Sequence, residues 1–197
     1  WNKLINIDAD AIFNVHSEGG ILDDKSIYKL LSPLLKAKNL SENITMLELY
    51  EKTKIELHIF TSNLNASLIE KIDITHETYP DLPLYKAVYM SLTIPGIFKP
   101  TCVDNKCYLD GGYVNHFPIK DCLNRQDVKE DEIVGVYVTS VNKCNITSES
   151  SLSETYFELM MRLISTSNEV FINDNDVKNI IYCSPTTSEG ISDWLNI

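Results

Sequence analysis

Apolar residues recur at the spacing of an α-helix in three clear stretches of the chain. In residues 27–35, 84–92 and 156–164, aliphatic and aromatic side chains fall three or four positions apart. This spacing gathers apolar side chains on one helical face and predicts three amphipathic helices. Pro33 lies inside the first stretch, so we expect a kink there. A shorter helix is predicted over residues 119–123.

Start signals support two of these helices and indicate others. Thr45-Met-Leu-Glu48 and Ser151-Leu-Ser-Glu154 both have the capping-box pattern, in which a hydroxyl and a glutamate satisfy the first free backbone amides. The first predicts a helix to about Lys52. Asp23 or Asp24 can cap the helix that follows Gly19-Gly20. Residues 1–15 read as a further short helical segment.

Five other stretches are typical of strands. Residues 55–60 alternate apolar and polar side chains, and residues 69–75, 107–109 and 179–183 are short apolar segments between loop signals. Residues 133–138 form a continuous apolar run, as in a strand covered on both faces. Helices alternate with strands, and we see no linker or internal repeat. The sequence therefore predicts an α/β fold, with residues 1–197 as a single domain.

Composition and charge exclude some functions. The chain has 197 residues, of which 44% are hydrophobic and 23% are charged, as in ordinary globular proteins. Its formal net charge of −11 argues against nucleic-acid binding and against electrostatic docking on anionic membranes. No apolar run reaches the roughly 20 residues that a membrane-spanning helix needs.

The cysteines give a weaker signal. There are five, an odd number, and no Cys-x-x-Cys pair occurs. We therefore expect reduced thiols in a cytoplasmic setting, with no disulfide framework and no metal site.

One stretch carries candidate chemistry. In Tyr108-Leu-Asp-Gly-Gly-Tyr-Val-Asn-His-Phe-Pro118, a predicted strand ends in Asp110 and turns on Gly111 and Gly112. Such a strand places its carboxylate at the rim of a sheet, and glycine allows another chain or a substrate to approach closely. An ordinary turn is the alternative interpretation, because Asp-Gly pairs mark turns in many proteins.

The segment before this motif favours a catalytic interpretation. A helical pattern ends in Ile94-Pro95-Gly96, and Phe98 and Pro100 follow. Together with Asp-Gly-Gly-x-x-Asn-x-x-Pro, this order and spacing from Ala87 to Pro118 resembles the patatin-like phospholipase family. The resemblance implies a layered α/β/α domain with a mostly parallel central sheet.

The resemblance also implies an activity. Patatin-like enzymes are lipid acyl hydrolases of the phospholipase A type that use a serine–aspartate dyad. The dyad acid falls on Asp110, with Gly111, Gly112, Asn115 and Pro118 supporting the motif. No catalytic histidine, cofactor or metal is implied, although His116 close to the motif invites a triad as a less favoured alternative.

A substrate pocket is implied as well. In the resembling family, the segment holding Ile94, Ile97 and Phe98 lies next to the acyl pocket, although simple core burial would explain the same residues. Thr61 and Asn63 could also line the pocket, with a polar loop as the plainer interpretation. The implied partner is a phospholipid or another acyl-ester lipid, with peripheral membrane contact and a cytoplasmic location.

The other half of the dyad is missing. The family's nucleophile sits in Gly-x-Ser-x-Gly, and no such motif occurs in residues 1–197. A serine hydrolase needs the nucleophile, a base and oxyanion donors together. We therefore expect the later part of a longer domain, incomplete at its N-terminus and inactive alone. The alternative is a non-catalytic scaffold that binds lipid or a protein partner.

Overall fold

The computed structural model describes residue 17 and residues 19–125, 128–138, 146–166 and 179–183. These residues fall into two compact units, one ending at Val114 and the other beginning at Asn115. Each unit is described below by itself, and the single domain over residues 1–197 stays a prediction. The predicted helical segment over residues 1–15 lies outside the described residues.

Three α-helices belong to the first unit. They are α1 (Asp24–Ala37), α2 (Met46–Thr53) and α3 (Leu84–Ser91). Asp23 occupies the predicted N-cap position of α1, but its side chain makes no capping hydrogen bond, and α1 continues past Pro33. The capping box of α2 is confirmed: the Thr45 hydroxyl accepts from the Glu48 amide at 3.2 Å, and the Thr45 amide donates to the Glu48 carboxylate at 3.0 Å.

Six strands of the first unit form two sheets. The strands are β1 (Gly20–Leu22), β2 (Ile59–Asn63), β3 (Glu70–Ile74), β4 (Gly96–Phe98), β5 (Thr101–Val103) and β6 (Lys106–Asp110). The larger sheet has the order β3-β2-β6-β5, and every neighbouring pair in it is antiparallel. The smaller sheet is the parallel pair β1–β4.

The α/β content is confirmed, but the mostly parallel central sheet is not. Short loops join β2 to β3 and β5 to β6, and such loops allow only antiparallel pairing, because a parallel pair needs a long crossover. In the second of these hairpins, Asp104 and Asn105 both have positive φ, as a tight hairpin turn requires. Alternation of helices with strands therefore did not fix the strand directions.

The boundary of β2 differs from its prediction. The strand begins at Ile59 rather than Ile55, and it continues through Thr61 and Ser62 to Asn63, where a polar loop seemed the plainer interpretation. Thr61 and Ser62 have no exposed surface. Cross-strand pairing on both edges of β2 holds these polar residues extended, which a local hydropathy pattern does not reveal.

The core of the first unit lies between the larger sheet and its helices. Buried side chains from α2, α3, β3 and β6 form one cluster: Met46, Ile72, Ile74, Ala87, Met90 and Tyr108. Ile74 and Ala87 have no exposed surface. Burial of this apolar surface holds α3 against the sheet at the level of β6.

The second unit contains α4 (Ile119–Leu123), β7 (Gly135–Val138), α5 (Leu152–Thr166) and β8 (Ile180–Cys183). Strands β7 and β8 pair in parallel. The capping box of α5 is confirmed, since the Ser151 amide donates to the Glu154 carboxylate at 2.7 Å and the Glu154 amide to the Ser151 hydroxyl at 3.3 Å. Within the described residues, no helix is long and apolar enough to cross a membrane.

The expectation of reduced thiols is wrong for two of the five cysteines. Cys102 and Cys107 face each other across the β5–β6 hairpin and form a disulfide, with their Cα atoms 4.1 Å apart. A tight turn brings the two strands into register, and directly opposed residues lie close enough for the bond. Cys122 and Cys183 are exposed.

Candidate active site around Asp110

Asp110 is the last residue of β6, where it pairs with Thr61 of β2. Its backbone is held on both sides. The Asp110 amide donates to the carbonyl oxygen of Thr93 at 3.0 Å, and its own carbonyl accepts from Oγ of Ser62 at 3.1 Å. The predicted position at the rim of a sheet is therefore what the structure shows.

The carboxylate of Asp110 points into the turn that follows. Its Oδ1 accepts a 2.6 Å hydrogen bond from the backbone amide of Gly112 and so caps the 3₁₀ turn Gly111–Tyr113. Asp110 is only partly buried. A hydrogen bond to the ionised form stabilises a carboxylate that must act as a base.

Gly111 is required by close packing rather than by an unusual dihedral angle. A Cβ atom on Gly111 would lie 2.4 Å from the carbonyl oxygen of Phe60, a backbone atom that cannot move aside cheaply. The turn after Asp110 therefore rests directly on β2, and only glycine fits at this point.

Thr61 and Asn63 have structural roles in this sheet. Both are buried. The Thr61 hydroxyl lies within hydrogen-bond distance of two carbonyl oxygens, that of Leu109 at 2.7 Å and that of Met90 at 3.0 Å. Thr61 thereby ties β2 to β6 and to α3 beneath the turn.

The candidate acyl-pocket residues Ile94, Ile97 and Phe98 are all partly buried. Phe98 packs edge-on against Tyr89, with ring centroids 5.8 Å apart. A Cβ atom on Gly20 would lie 2.2 Å from the Phe98 backbone, so β1 and β4 touch without intervening side chains. This segment follows α3 in the chain. Thr93, the residue directly before it, accepts the hydrogen bond from the Asp110 amide.

The remaining motif residues belong to the second unit. Oδ1 of Asn115 accepts from the amide of Phe117 at 3.1 Å, and Pro118 is the N-cap residue of α4. Asn115 and Pro118 thus shape the loop between the motif and that helix. His116 is exposed.

A cavity of about 490 Å³ lies in the first unit, on the α3 side. Its lining includes Leu82, Tyr89, Met90 and Val103, and Asp110 is not among the lining residues. The Tyr89 hydroxyl lies within hydrogen-bond distance of two carbonyl oxygens, that of Lys99 at 2.6 Å and that of Leu22 at 3.2 Å, and burial raises the pKa of Tyr89 to about 12. Tyr89 therefore fixes β1 and β4 to α3.

The sequence motif points to Asp110 as a candidate site residue but carries no signal of the residues that hold it. The carbonyl of Thr93 and the hydroxyl of Ser62 belong to segments 17 and 48 residues earlier in the chain. A serine next to a strand threonine carries no signal of this role. In the part of the chain that the structure describes, no group of three or more His, Cys, Asp or Glu side chains is arranged to hold a metal ion.

Comparison with known proteins places these features in context. The family model described as patatin-like phospholipase matches residues 2–123, which include Asp110 and the two residues that hold its backbone, Ser62 and Thr93. The chain is also similar to the "Probable lipid hydrolase 463L" of Invertebrate iridescent virus 6, with 29% identity over 177 residues. That alignment covers 88% of this chain and 58% of the viral protein, so the chain spans little more than half of that relative's length.

Proposed function

Because this chain belongs to the patatin-like phospholipase family, we propose that it forms the aspartate-bearing part of a lipid acyl hydrolase. The substrate is a phospholipid or another acyl-ester lipid, which the protein meets by peripheral contact with a membrane surface. The lipid hydrolase similar to this chain supports the same class of reaction.

The observation that carries the proposal is the geometry of Asp110. Its backbone is fixed at both ends, its Oδ1 accepts from Gly112, and it keeps part of its surface exposed. A general base needs this combination, because it must be held in place and still reach the proton that it takes. An ordinary turn aspartate would not need anchoring by segments distant in sequence.

In the proposed mechanism, Asp110 takes the proton of a serine hydroxyl as the serine oxygen attacks the ester carbonyl. The proton then passes to the leaving alcohol, and an acyl-serine remains. Water attacks the acyl-serine, Asp110 again takes a proton, and the fatty acid leaves as the serine is restored. Ile94, Ile97 and Phe98 are proposed to contact the acyl chain.

We propose that the serine lies on a segment outside residues 1–197. The sequence has no Gly-x-Ser-x-Gly motif, and the viral relative extends well beyond the aligned region. Such a segment would add parallel strands and so complete the layered α/β/α domain with a mostly parallel sheet. Residues 1–197 alone are then expected to be inactive.

The test is ester hydrolysis by the protein expressed from its natural start codon. Asp110→Asn should lower kcat by a factor of about 10² or more, the usual contribution of a positioned general base. Asp104→Asn is the matched control, because it makes the same chemical change in the β5–β6 turn, where positive φ suits asparagine. Near wild-type turnover in Asp110→Asn would refute the assignment.

A second candidate function is a non-catalytic scaffold that binds lipid or a protein partner. The missing nucleophile motif is the observation that favours it. The same assay separates the two, because a scaffold would show no turnover in any variant. Serine-dependent hydrolysis by residues 1–197 alone would contradict both proposals.

A further inference from the structure

We infer that Ser62 is a positioning residue for Asp110, acting through the peptide bond that joins Asp110 to Gly111. The inference rests on the proposed function, because it concerns how the catalytic acid is held. Neither the Asp-Gly-Gly motif nor its resemblance to other sequences assigns a role to this serine.

Ser62 is the fourth of the five residues of β2, where it pairs with Leu109 of β6. It has no exposed surface. Its Oγ donates to the Asp110 carbonyl oxygen at 3.1 Å. A hydroxyl carries a single proton, so this bond uses the whole donor capacity of the Ser62 side chain.

This bond fixes the plane of the peptide group between Asp110 and Gly111. The orientation of that plane sets the direction in which the chain leaves β6, and therefore the position of the Gly112 amide that binds the carboxylate. The Asp110 amide is bound by the Thr93 carbonyl on the other side. Ser62 completes the restraint without touching the carboxylate itself.

Thr61 differs from its neighbour in what it holds. Its hydroxyl lies within hydrogen-bond distance of the carbonyl oxygens of Leu109, the residue before Asp110, and of Met90 on α3. Thr61 therefore anchors the strand, whereas Ser62 orients the turn. The Thr61 hydroxyl therefore contributes to the stability of the sheet, and the Ser62 hydroxyl contributes to the geometry at Asp110.

The decisive experiment measures hydrogen exchange of the Gly112 amide by NMR in the protein expressed from its natural start codon. In Ser62→Ala this amide should exchange about tenfold faster than in wild type, because one buried hydrogen bond that restrains the turn is lost. Ser62→Thr keeps the hydroxyl and should restore most of the protection. An unchanged Gly112 amide in a folded Ser62→Ala protein would overturn the inference.

Ser91→Ala is the matched control. The Ser91 hydroxyl also donates to a backbone carbonyl next to this turn, that of Phe60 at 2.7 Å, but it makes no bond to Asp110. Its loss should leave the Gly112 amide protected. Equal loss of protection in both variants would show a general loosening of β2 and would also overturn the inference. If Ser62→Ala does not fold, Ser62→Cys, with its weaker donor, takes its place and should show an intermediate rate.

Catalysis gives an independent readout in the protein expressed from its natural start codon. Ser62→Ala should lower kcat about tenfold or more with KM nearly unchanged, because a misplaced base affects the chemical step more than binding. If wild type hydrolyses no ester, the proposed function fails, and Gly112 exchange still decides whether Ser62 orients the turn. If kcat is unchanged while exchange rises, positioning of the acid is refuted.

Discussion

The backbone amide of Gly112 donates a 2.6 Å hydrogen bond to Oδ1 of Asp110, so the proposed catalytic acid also caps the turn that follows it. Stability and catalysis at this residue can therefore be separated by substitution. We expect Asp110→Ala to lower the free energy of unfolding by about 1 kcal/mol, as for other lost caps. Asp110→Asn retains an oxygen that accepts from Gly112, so its free energy of unfolding should fall by only a few tenths of the loss expected for Asp110→Ala. Urea unfolding checks both, and equal losses would show that the cap contributes nothing.

Gly111 and Gly96 are predicted to respond differently to substitution by alanine. Gly111→Ala places a methyl group against the Phe60 carbonyl, and we expect a loss of about 3 kcal/mol in the free energy of unfolding. Gly96 has open space around its Cβ position but a φ of +88°, so Gly96→Ala should cost only about 1 to 2 kcal/mol. Thermal unfolding measures the difference, and a milder effect at Gly111 would contradict the close packing described above.

Glu42 should make stability sensitive to acid. Hydrogen bonds from Ser32, Lys36 and Tyr28 lower the pKa of Glu42, with that from Ser32 the strongest cause. A carboxyl with a lower pKa in the folded state stabilises the fold above its unfolded pKa of about 4.3, and this contribution is lost as the pH falls through the folded value. Urea unfolding of Glu42→Gln should depend less on pH below 5 than that of wild type.

The control for this experiment is Glu77→Gln, which neutralises an exposed carboxyl in a loop. It should keep the wild-type pH dependence. If Glu42→Gln also keeps it, the lowered pKa of Glu42 does not contribute to stability in acid.

Tyr89 should make stability sensitive to alkali in the opposite direction. Burial raises its pKa from 10.0 to about 12. The folded state therefore holds the phenol proton more tightly, so its contribution is complete below pH 10 and is lost as the pH rises through 12. Tyr89→Phe removes the bonds to the Lys99 and Leu22 carbonyls and should cost about 1 kcal/mol at pH 7. Phenolate absorbance against pH checks the titration, with Tyr85→Phe as the control.

The Cys102–Cys107 disulfide can be counted directly. Of the five cysteines in the sequence, Cys102 and Cys107 form the disulfide, so the unfolded, unreduced protein should react with at most three equivalents of thiol reagent. The bond closes a short loop, since the two cysteines are five residues apart, and replacing both with serine should cost about 2 kcal/mol or less. Five reactive thiols in the unreduced protein would show that the disulfide does not form and that all cysteines are reduced, as expected from the sequence.

Local signals in the sequence determined the helix starts and the motif. Thr45 and Ser151 cap their helices as predicted, and Asp110 ends a strand before its two glycines. These features depend on side chains and backbone groups within three or four residues of each other. Such contacts recur wherever the same short sequence occurs, so they can be read without knowing the rest of the fold.

Only the tertiary structure decided the direction of the strands, the length of β2, the Cys102–Cys107 disulfide and the partners of Asp110. Ser62 and Asp110 are 48 residues apart, and their bond exists because β2 and β6 pair in one particular register. A shift of one residue would turn each side chain to the other face of the sheet. The short motif around Asp110 was therefore enough to predict a candidate acid. The orientation of that acid depends on pairing between strands that are far apart in the chain.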